Sequence, residues 1–498
     1  MTSLSPKSER ARAAFDEFLA RDLDEVLTRC LRGEPARLAL ELFRRTAASV
    51  PAYKAFLSDH GISPEQAETL DDLASVPVTT KENYHRRHSL DDLSREGRLS
   101  DCDMLAVSSG STGEPGVWPR FSSDELQTSV RFEQVLVDAM EVTNRRTLGV
   151  VCFALGTWVG GMYTTACCRH LASKGYPLTL VTPGNQKAEI LRVLRALAPA
   201  FDQIVLFGYP PFLKDVVDSA RGAGFDWSKH RVRLVMAGEV FSEAWRSSMC
   251  ERLGAADPAL TTASLYGTAD GGVLANETPL SIRIRRALAE RPEAARALFG
   301  EARLPTLCQY DPCHRFFEVE SDGSLLFTGD GGIPLVRYKI LDRGGIVEYR
   351  TMLAFLKQHG VALPELGTAR ELPFVFVFGR SNFAVSFYGA NVYPENVAAG
   401  VERPEFAEDL TGKFVLEVVE DTDQNPRLSV AVELAAGKQP DESLSTVLAA
   451  TLREQLEHMN SEFLNYAPAE RRTPLVRLLP QGHPEYFPLG VKHRYSRA

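Results

Sequence analysis

A run of hydroxyl side chains and glycines at residues 107–116 is the segment of the chain best suited to hold a phosphate group. It follows a short apolar run, residues 104–107, that is predicted to be a strand. Glycines let the backbone approach a ligand closely, and successive N–H groups in such a turn form a concave anion site. The pattern therefore indicates polyphosphate binding, with a solvated Ser/Gly linker as the alternative. The candidate cofactor-binding residues here are Ser108, Ser109, Gly110, Ser111, Thr112 and Gly113.

Two aspartates stand at the ends of predicted strands, where they could serve a nucleotide and its metal ion. Asp270 closes the segment Tyr-Gly-Thr-Ala-Asp at residues 266–270. Mg²⁺ prefers one or two carboxylates together with phosphate oxygens, so Asp270 is a candidate metal ligand. Asp342 closes residues 334–342 and is suited to accept two ribose hydroxyls. The alternatives are a turn aspartate at 270 and, at 342, a surface acid paired with Arg343.

Two cations towards the C-terminus are candidates for neutralising charge. Arg380 lies in the run Gly-Arg-Ser-Asn at residues 379–382, which follows a strand-like run and precedes a smaller unit. Lys492 lies close to the C-terminus, where a lysine is normally solvated. Its assignment to a site therefore depends on what the rest of the chain resembles.

Aromatic side chains and glycines follow two predicted strands and could line a pocket for a flat acyl group. Ligands of parallel sheets bind outside the carboxyl ends of the strands, and an aryl group fits between a ring and bare backbone. Ordinary packing of sheet against helix is the alternative explanation. The candidate pocket residues are Phe153, Trp158, Gly160, Gly161, Tyr209 and Pro210. We do not predict a zinc site at Cys308, Cys313 and His314, because structural zinc sites need four ligands.

Composition narrows the class of protein. A chain of 498 residues is too long for one ordinary core, and 44% hydrophobic with 24% charged residues is typical of a soluble globular protein. The net charge of −9 and the lack of a Lys/Arg run argue against a nucleic-acid partner. The sequence shows neither an apolar signal core nor a run long enough to span a bilayer, so we expect no membrane association. Eight cysteines without a regular framework favour reduced thiols and a cytoplasmic location.

Strand-like and helical runs alternate from residue 147 onwards, which predicts an α/β fold built on a doubly wound parallel sheet. The strands are expected at residues 147–153, 178–181, 204–207 and 232–236, and the helices at 159–173, 186–198, 211–221 and 242–253. Further β structure includes a hairpin over 316–328, and a charged run predicts one helix over 283–299.

A smaller α+β unit is predicted at the C-terminal end of the chain. Strand-like runs at 413–420, 427–434 and 474–479 accompany a helix expected over 445–464. We therefore divide the chain into a large N-terminal domain, residues 1–380, and a small mobile C-terminal domain, residues 381–498.

The order of the candidate segments resembles that of the adenylate-forming acyl ligases and, among them, the phenylacetate–CoA ligase branch. A Ser/Gly/Thr loop precedes Tyr-Gly-x-x-acid, then Arg-Tyr-x-x-x-Asp, then Gly-Arg-Ser at a joint, then a terminal lysine. The branch is also matched by five segments: Val-Pro-Ala-Tyr at 50–53, Leu-Asp-Asp-Leu at 70–73, Pro-Val-Thr-Thr-Lys at 77–81, Ala-Gly-Glu at 237–239 and Gly-Ala-Asn-Val-Tyr-Pro at 389–394. The likeness covers nearly the whole chain.

That resemblance implies a two-step reaction that uses ATP, Mg²⁺ and coenzyme A or a carrier-protein thiol. A carboxylate attacks the α-phosphorus of ATP, and a thiol then displaces AMP after the small domain rotates. By resemblance, Lys492 bridges the carboxylate and the α-phosphate, Asp270 holds Mg²⁺, and Asp342 holds the ribose. Arg380 would sense the nucleotide across the joint. The remaining cofactor-binding candidates are Gly238, Glu239, Tyr266, Gly267 and Thr268.

Several positions depart from the family pattern. Glu114 stands where many relatives have Lys, Asp270 where Glu is usual, and Asn382 where the hinge Asp is usual. Ile340-Leu341-Asp342 replaces Thr-Gly-Asp. The expected substrate is a small, aromatic carboxylic acid. The alternatives are transfer to an acyl carrier protein or an amine, a nucleotidyl transferase, or a non-catalytic nucleotide-binding protein. Whether the chain forms a homodimer stays open.

Overall fold

Eleven strands of the described part of the chain form one sheet, and a three-stranded sheet lies in the C-terminal unit. The computed structural model describes residues 5–496 except 67, 108–115, 157–158, 239, 302, 364–368, 381–384, 388–389, 422–425, 461–462, 465–466 and 489–492. The strands are β1 Met104–Val107, β2 Val117–Arg120, β3 Thr147–Val151, β4 Leu178–Val181, β5 Gln203–Gly208, β6 Val232–Ala237, β7 Thr262–Thr268, β8 Gly272–Asn276, β9 Thr306–Gln309, β10 Phe316–Val319, β11 Ser324–Gly329, β12 Leu335–Val347, β13 Phe374–Arg380, β14 Val385–Phe387, β15 Ala390–Val392, β16 Leu410–Glu420, β17 Pro426–Leu434 and β18 Leu475–Leu479.

The helices lie mainly on the two faces of the large sheet and around the small one. They are α1 Pro6–Ala20, α2 Leu23–Arg32, α3 Pro35–Ser49, α4 Pro51–Asp59, α5 Leu70–Ser75, α6 Leu90–Leu93, α7 Ser122–Asp138, α8 Val159–Ser173, α9 Lys187–Leu197, α10 Pro210–Ala220, α11 Glu243–Arg252, α12 Pro258–Thr261, α13 Pro279–Ala289, α14 Pro292–Phe299, α15 Tyr349–Gln358, α16 Pro394–Val401 and α17 Glu442–Met459. None of the described helices is long and apolar enough to cross a membrane.

The parallel half of the large sheet runs in the order β4-β3-β5-β6-β7. Successive side chains of a strand point to opposite sides of the sheet, and the inner strands β3, β5 and β6 are buried on both sides. In β5, Ile204 and Leu206 contact a cluster that includes α9, α10 and α11, whereas Val205 and Phe207 contact a cluster that includes α7 and α8. Burial on both faces is what a parallel sheet requires, and the predicted doubly wound α/β core is confirmed.

The antiparallel half continues from β7 through β8, β9, β13, β12, β11 and β10. The predicted hairpin over 316–328 is present as β10 and β11, and Gly323 adopts a positive φ of 79° in its turn. The single helix expected over 283–299 is wrong, since Pro292 begins a second helix there. Proline has no N–H to continue the ladder of hydrogen bonds, and it is favoured in the first turn.

The C-terminal unit packs α16 and α17 against the sheet β16-β17-β18 around its own apolar cluster. β17 and β18 are parallel, whereas β16 and β17 are antiparallel. The helix predicted over 445–464 is observed as α17, which begins at Glu442 because the Asp441 side chain accepts from the N–H groups of Ser443 and Leu444. The predicted α+β character of this unit is confirmed, and the boundary at residues 380–381 stays a prediction.

One irregularity in the large sheet sets the position of Asp342. Between Lys339 and Arg343, β12 advances four residues while β11 advances only two. Leu341 lies in this bulge with a φ of 65°, in the left-handed region that favours glycine. The bulge turns the strand at the residue before Asp342, and the cost falls on the Leu341 backbone.

Replacing Leu341 with glycine should therefore stabilise the protein. The left-handed conformation costs a residue with a Cβ about 1 kcal/mol, and the exposed Leu341 side chain loses little packing. We expect the free energy of unfolding in urea to rise by about 1 kcal/mol in Leu341→Gly. Leu341→Ala is the matched control, because it keeps a Cβ and should gain nothing. An equal gain in both variants would contradict a backbone origin.

Candidate functional site

Residues 266–270, at the end of β7, place a tyrosine and an aspartate at the centre of the candidate site. Gly267 permits β7 and β8 to approach closely, since an added Cβ would lie 2.8 Å from the Gly272 carbonyl oxygen. The Thr268 hydroxyl oxygen accepts from the Gly271 N–H at 2.9 Å and closes the turn. Asp270 follows in that turn and is 7% exposed. The local turn therefore holds the carboxylate in a fixed, nearly dry position.

The second predicted segment, on β12, places another tyrosine and aspartate against the first pair. The Tyr266 hydroxyl donates to Asp342 Oδ2 at 2.8 Å, and the Tyr338 hydroxyl donates to Asp270 Oδ2 at 2.6 Å. Each segment thus supplies a tyrosine that bonds the aspartate of the other. Asp342 is 6% exposed, so both carboxylates are largely withdrawn from water. These two bonds bring the sequence-predicted Asp270 and Asp342 into one site.

Lys81 reaches the same site from the N-terminal part of the chain. Thr79 pairs with Tyr338 in a short parallel bridge: its N–H donates to the Arg337 carbonyl, and its carbonyl accepts from the Lys339 N–H. Lys81 Nζ then lies 3.4 Å from Asp270 Oδ1. The pairing of residues 77–81 with β12 therefore delivers a cation to the carboxylate. The sequence signal was the Pro-Val-Thr-Thr-Lys segment itself, to which no role had been assigned.

The chemistry of this donor set fits a magnesium ion that is held mainly through phosphate oxygens. Among the described residues, no group of three or more His, Cys, Asp or Glu side chains could hold a metal alone. A single oriented carboxylate, such as Asp270, is what Mg²⁺ bound to a nucleotide takes from a protein. The Tyr338 hydroxyl leaves Asp270 Oδ1 facing Lys81 at a distance longer than a close ion pair. Asp270 can therefore serve as the metal ligand.

Other predicted cofactor-binding positions lie only partly within the described structure. Gly238 follows β6 with a φ of 83°, a conformation that favours glycine. Arg380 ends β13 directly opposite Asp342 in the strand register, and its side chain is outside the described part. The predicted positions outside the described residues are Ser108, Ser109, Gly110, Ser111, Thr112, Gly113, Glu239 and Lys492.

Three of the predicted pocket residues come together at the carboxyl end of the parallel strands. The rings of Phe153 and Tyr209 meet edge to face with centroids 4.9 Å apart. A Cβ on Gly160 would lie 3.6 Å from both the Phe153 ring and the Tyr209 hydroxyl. Gly161 instead packs against the Ala154 carbonyl, which leaves no room for a side chain, so its role is close packing. Pro210 begins α10, and Trp158 lies outside the described residues.

Comparison with known proteins agrees with the resemblance seen in the sequence, although no protein-family model matches the chain. The phenylacetate–coenzyme A ligase of Escherichia coli K12 is 22% identical over 375 residues, covering 74% of this chain and 75% of that protein. The phenylacetate–coenzyme A ligase of Aromatoleum evansii is 22% identical over 437 residues, covering 84% and 85%. A 2-hydroxyisobutyryl-CoA ligase solved in its postadenylation state aligns with a TM-score of 0.63 at 14% identity, covering 92% of this chain and 87% of that one.

The chain therefore shares its fold with this CoA ligase. In sequence it is similar to the phenylacetate–coenzyme A ligases, so the resemblance expected from the order of motifs is confirmed.

The Tyr266 hydroxyl should matter for nucleotide affinity, because it orients the carboxylate predicted to bind ribose. A lost hydrogen bond to a charged group costs about 1.5 kcal/mol, so Tyr266→Phe should weaken ATP binding roughly tenfold by calorimetry. Tyr176→Phe is the matched control, since it removes a 2.6 Å bond to Glu133 elsewhere in the fold. Equal ATP affinities in the two variants would place the ribose elsewhere.

Proposed function

We propose that the protein activates a small aromatic carboxylic acid with ATP and Mg²⁺ and transfers the acyl group to the thiol of coenzyme A. The observation that carries this proposal is the crosswise pairing of Tyr266 with Asp342 and of Tyr338 with Asp270. This pairing fixes Asp270, a carboxylate suited to Mg²⁺, beside Asp342, a carboxylate suited to ribose. The similarity to two phenylacetate–coenzyme A ligases supports the same reaction.

In the first step, a carboxylate oxygen of the acid forms a bond to the α-phosphorus, and the bond from that phosphorus to pyrophosphate breaks. Negative charge builds up on the phosphorus oxygens, so fixed cations and donors lower the barrier. Bound Mg²⁺ would neutralise phosphate charge beside Asp270. Lys492 would contact the attacking carboxylate and the α-phosphate, and the loop at residues 108–113 would cradle the polyphosphate. Arg380, which ends β13 opposite Asp342, would sense the nucleotide.

Lys81 supplies a cation that the phosphate loop lacks. Glu114 stands where many relatives carry a lysine, so the loop has one positive charge fewer. Lys81 is 26% exposed and is 3.4 Å from Asp270, so it can turn towards a phosphate group when Mg²⁺ takes the carboxylate. By moving from Asp270 to the phosphate group, Lys81 would supply the positive charge that Glu114 does not provide.

The aromatic acid would lie beside Phe153, Gly160 and Tyr209. An edge-to-face ring pair next to a residue without a side chain presents an apolar wall to a flat group.

A cytoplasmic location agrees with the described cysteines, all of which are free thiols.

In the second step, a thiolate sulfur attacks the acyl carbon, and AMP leaves with the carboxyl oxygen that was bonded to phosphorus.

We propose that residues 1–380 and 381–498 act as two domains, with the smaller one rotating between the two steps. In the present structure, Lys413 on β16 pairs with Asp215 on α10 at 2.5 Å and with Glu433 at 3.0 Å. Lys214 donates to the Leu410 carbonyl at 3.2 Å, and the Ser242 N–H donates to Glu402 at 3.1 Å. A rotation of the small domain would have to break these contacts.

Pyrophosphate release from ATP and Mg²⁺, measured against a panel of aryl and short alkyl carboxylic acids, tests the first step. We expect release that depends on an aryl acid and needs no acceptor. Adding coenzyme A should then yield a thioester and AMP. A product formed only with a carrier protein or an amine would correct the acceptor, and AMP bound covalently in the final product would identify a nucleotidyl transferase. ATP binding without release for any acid would contradict adenylation.

Replacing Lys81 with methionine should slow the first step. Loss of one preorganised cation near the reacting phosphates costs about 3 kcal/mol, so we expect pyrophosphate release to fall by roughly two orders of magnitude. Lys339→Met is the matched control, because Lys339 pairs with Glu320 and Asp322 near the surface of the same region. Equal rates in the two variants would remove Lys81 from the site.

The domain contacts should make stability depend on pH through Glu402. Burial raises its pKa to about 7, although Ser242, Arg285 and Lys214 oppose the shift. A raised folded-state pKa means that the folded protein holds a proton the unfolded chain has lost, so stability falls as pH rises from about 4.5 to 7. Glu402→Gln should remove up to about 3 kcal/mol of that fall in urea titrations, whereas Glu405→Gln should not. Parallel pH profiles for the wild type and Glu402→Gln would contradict this.

A further inference from the structure

Arg120 is a buried cation whose hydrogen bonds go to the segment that carries Asp270. It ends β2, is 3% exposed, and donates to the carbonyl oxygens of Ala269 and Asp270, the latter at 3.4 Å. Its guanidinium also lies over the Tyr163 ring at 5.4 Å from the centroid. Arg120 therefore bonds two consecutive peptide carbonyls of one turn.

Arg315 holds the next carbonyl of the same turn. It is 8% exposed and donates to the Gly271 carbonyl at 3.1 Å, and also to the carbonyls of His314 and Asp330 at 2.8 and 3.3 Å. Two buried guanidinium groups thus donate to three successive carbonyls: Arg120 to those of Ala269 and Asp270, and Arg315 to that of Gly271. Such concentration of charged donors on three successive peptides of a short turn restricts that turn strongly.

These two arginines differ from those buried arginines of the described structure that pair with carboxylates. Arg246 pairs with Glu243 and Glu277, and Arg285 pairs with Glu243. Within the described ranges, neither Arg120 nor Arg315 lies within ion-pair distance of a carboxylate. Burial lowers the pKa of Arg315, as expected where a charged group is desolvated. Structural anchoring alone would be achieved at lower cost by ion-paired or neutral donors.

Arg120 also lies on the two-stranded ribbon that the predicted phosphate loop adjoins in the sequence. β1 and β2 pair from Val107 with Val117, beside residues 108–115, to Met104 with Arg120 at the other end. The ribbon is therefore adjacent in sequence to the predicted loop at one end, and at its other end Arg120 hydrogen-bonds the Asp270 turn.

We infer that Arg120 and Arg315 are positioning residues that hold the Asp270 turn in the geometry required for metal–nucleotide binding. The inference rests on the proposed function, since it takes Asp270 as the ligand of nucleotide-bound Mg²⁺. Neither arginine is placed in contact with the reacting atoms. Their positive charge also offsets a negatively charged polyphosphate nearby.

The test combines local hydrogen exchange with the Mg²⁺ dependence of ATP binding, both measured without turnover. In Arg120→Met, we expect about tenfold faster amide exchange in the peptide covering 266–276 and an about tenfold higher Mg²⁺ concentration for half-maximal ATP binding, the effect of one charge-assisted hydrogen bond. Arg120→Lys should restore part of both, because an ammonium can bond one of the two carbonyls. Arg315→Met should give the same changes.

Arg233→Met is the matched control, since Arg233 is 7% exposed and its guanidinium donates to a main-chain carbonyl, that of Val232, at the far end of β6. Changes in Arg120→Met no larger than those in Arg233→Met would overturn the inference. If Arg120→Met does not fold, Arg120→Lys decides. If Arg120→Lys shows faster amide exchange in residues 266–276 and needs more Mg²⁺ for half-maximal ATP binding than the wild type, at an unchanged melting temperature, the inference is supported. An exchange rate and a Mg²⁺ requirement equal to those of the wild type overturn it.

The two proposals fail differently. A wild-type protein that binds ATP with Mg²⁺ but releases no pyrophosphate contradicts the proposed function, while exchange and binding still decide the role of the arginines. A wild-type protein that does not bind ATP overturns both. Normal pyrophosphate release with no local effect in Arg120→Met and Arg315→Met overturns the positioning role alone.

Discussion

The two crossed tyrosine–aspartate bonds are the constraint on which the site depends. Tyr266 and Asp270 are four residues apart, and so are Tyr338 and Asp342, yet the two segments are separated by about seventy residues in the sequence. Each hydroxyl both satisfies a nearly buried carboxylate and fixes its rotamer. Because an unsatisfied buried charge is costly, neither segment can move without disturbing the other. Residues 266–270 and 338–342 are therefore one coupled unit rather than two independent segments.

Two further features of the fold preserve that unit. A buried ionic cluster fixes β7. Arg246 donates to Thr262 and Glu277, and Glu277 accepts from the Ser264 N–H. β12 reaches Asp342 only through the bulge at Leu341, whose left-handed backbone is unfavourable for a leucine. Packing in the surrounding sheet outweighs that local cost. Strain concentrated beside a site residue is what a site built for geometry rather than stability would show.

Local patterns were enough to predict the parallel strands, most of the helices and the two segments that contain Asp270 and Asp342. They were not enough to predict that Tyr266 would bond Asp342 and Tyr338 would bond Asp270, because such pairing depends on strand order across the sheet. Lys81 was visible in a recognised segment but reached Asp270 only through the pairing of Thr79 with β12. Arg120 gave no sequence signal, since its partners are main-chain carbonyls, which every residue possesses.

The departures from the family pattern acquire a common meaning once the charges are located. Glu114 stands in the predicted phosphate loop where many relatives have a lysine, while Lys81, Arg120 and Arg315 place three positive charges around the Asp270 turn. A carboxylate one methylene shorter than the usual Glu reaches less far, so its turn must be held more exactly in place, and two guanidinium groups bond that turn. If the nucleotide binds as proposed, positive charge has moved from the predicted phosphate loop to the Asp270 turn. Preorganised charge on rigid elements stabilises a transition state without reorganising at the moment of reaction.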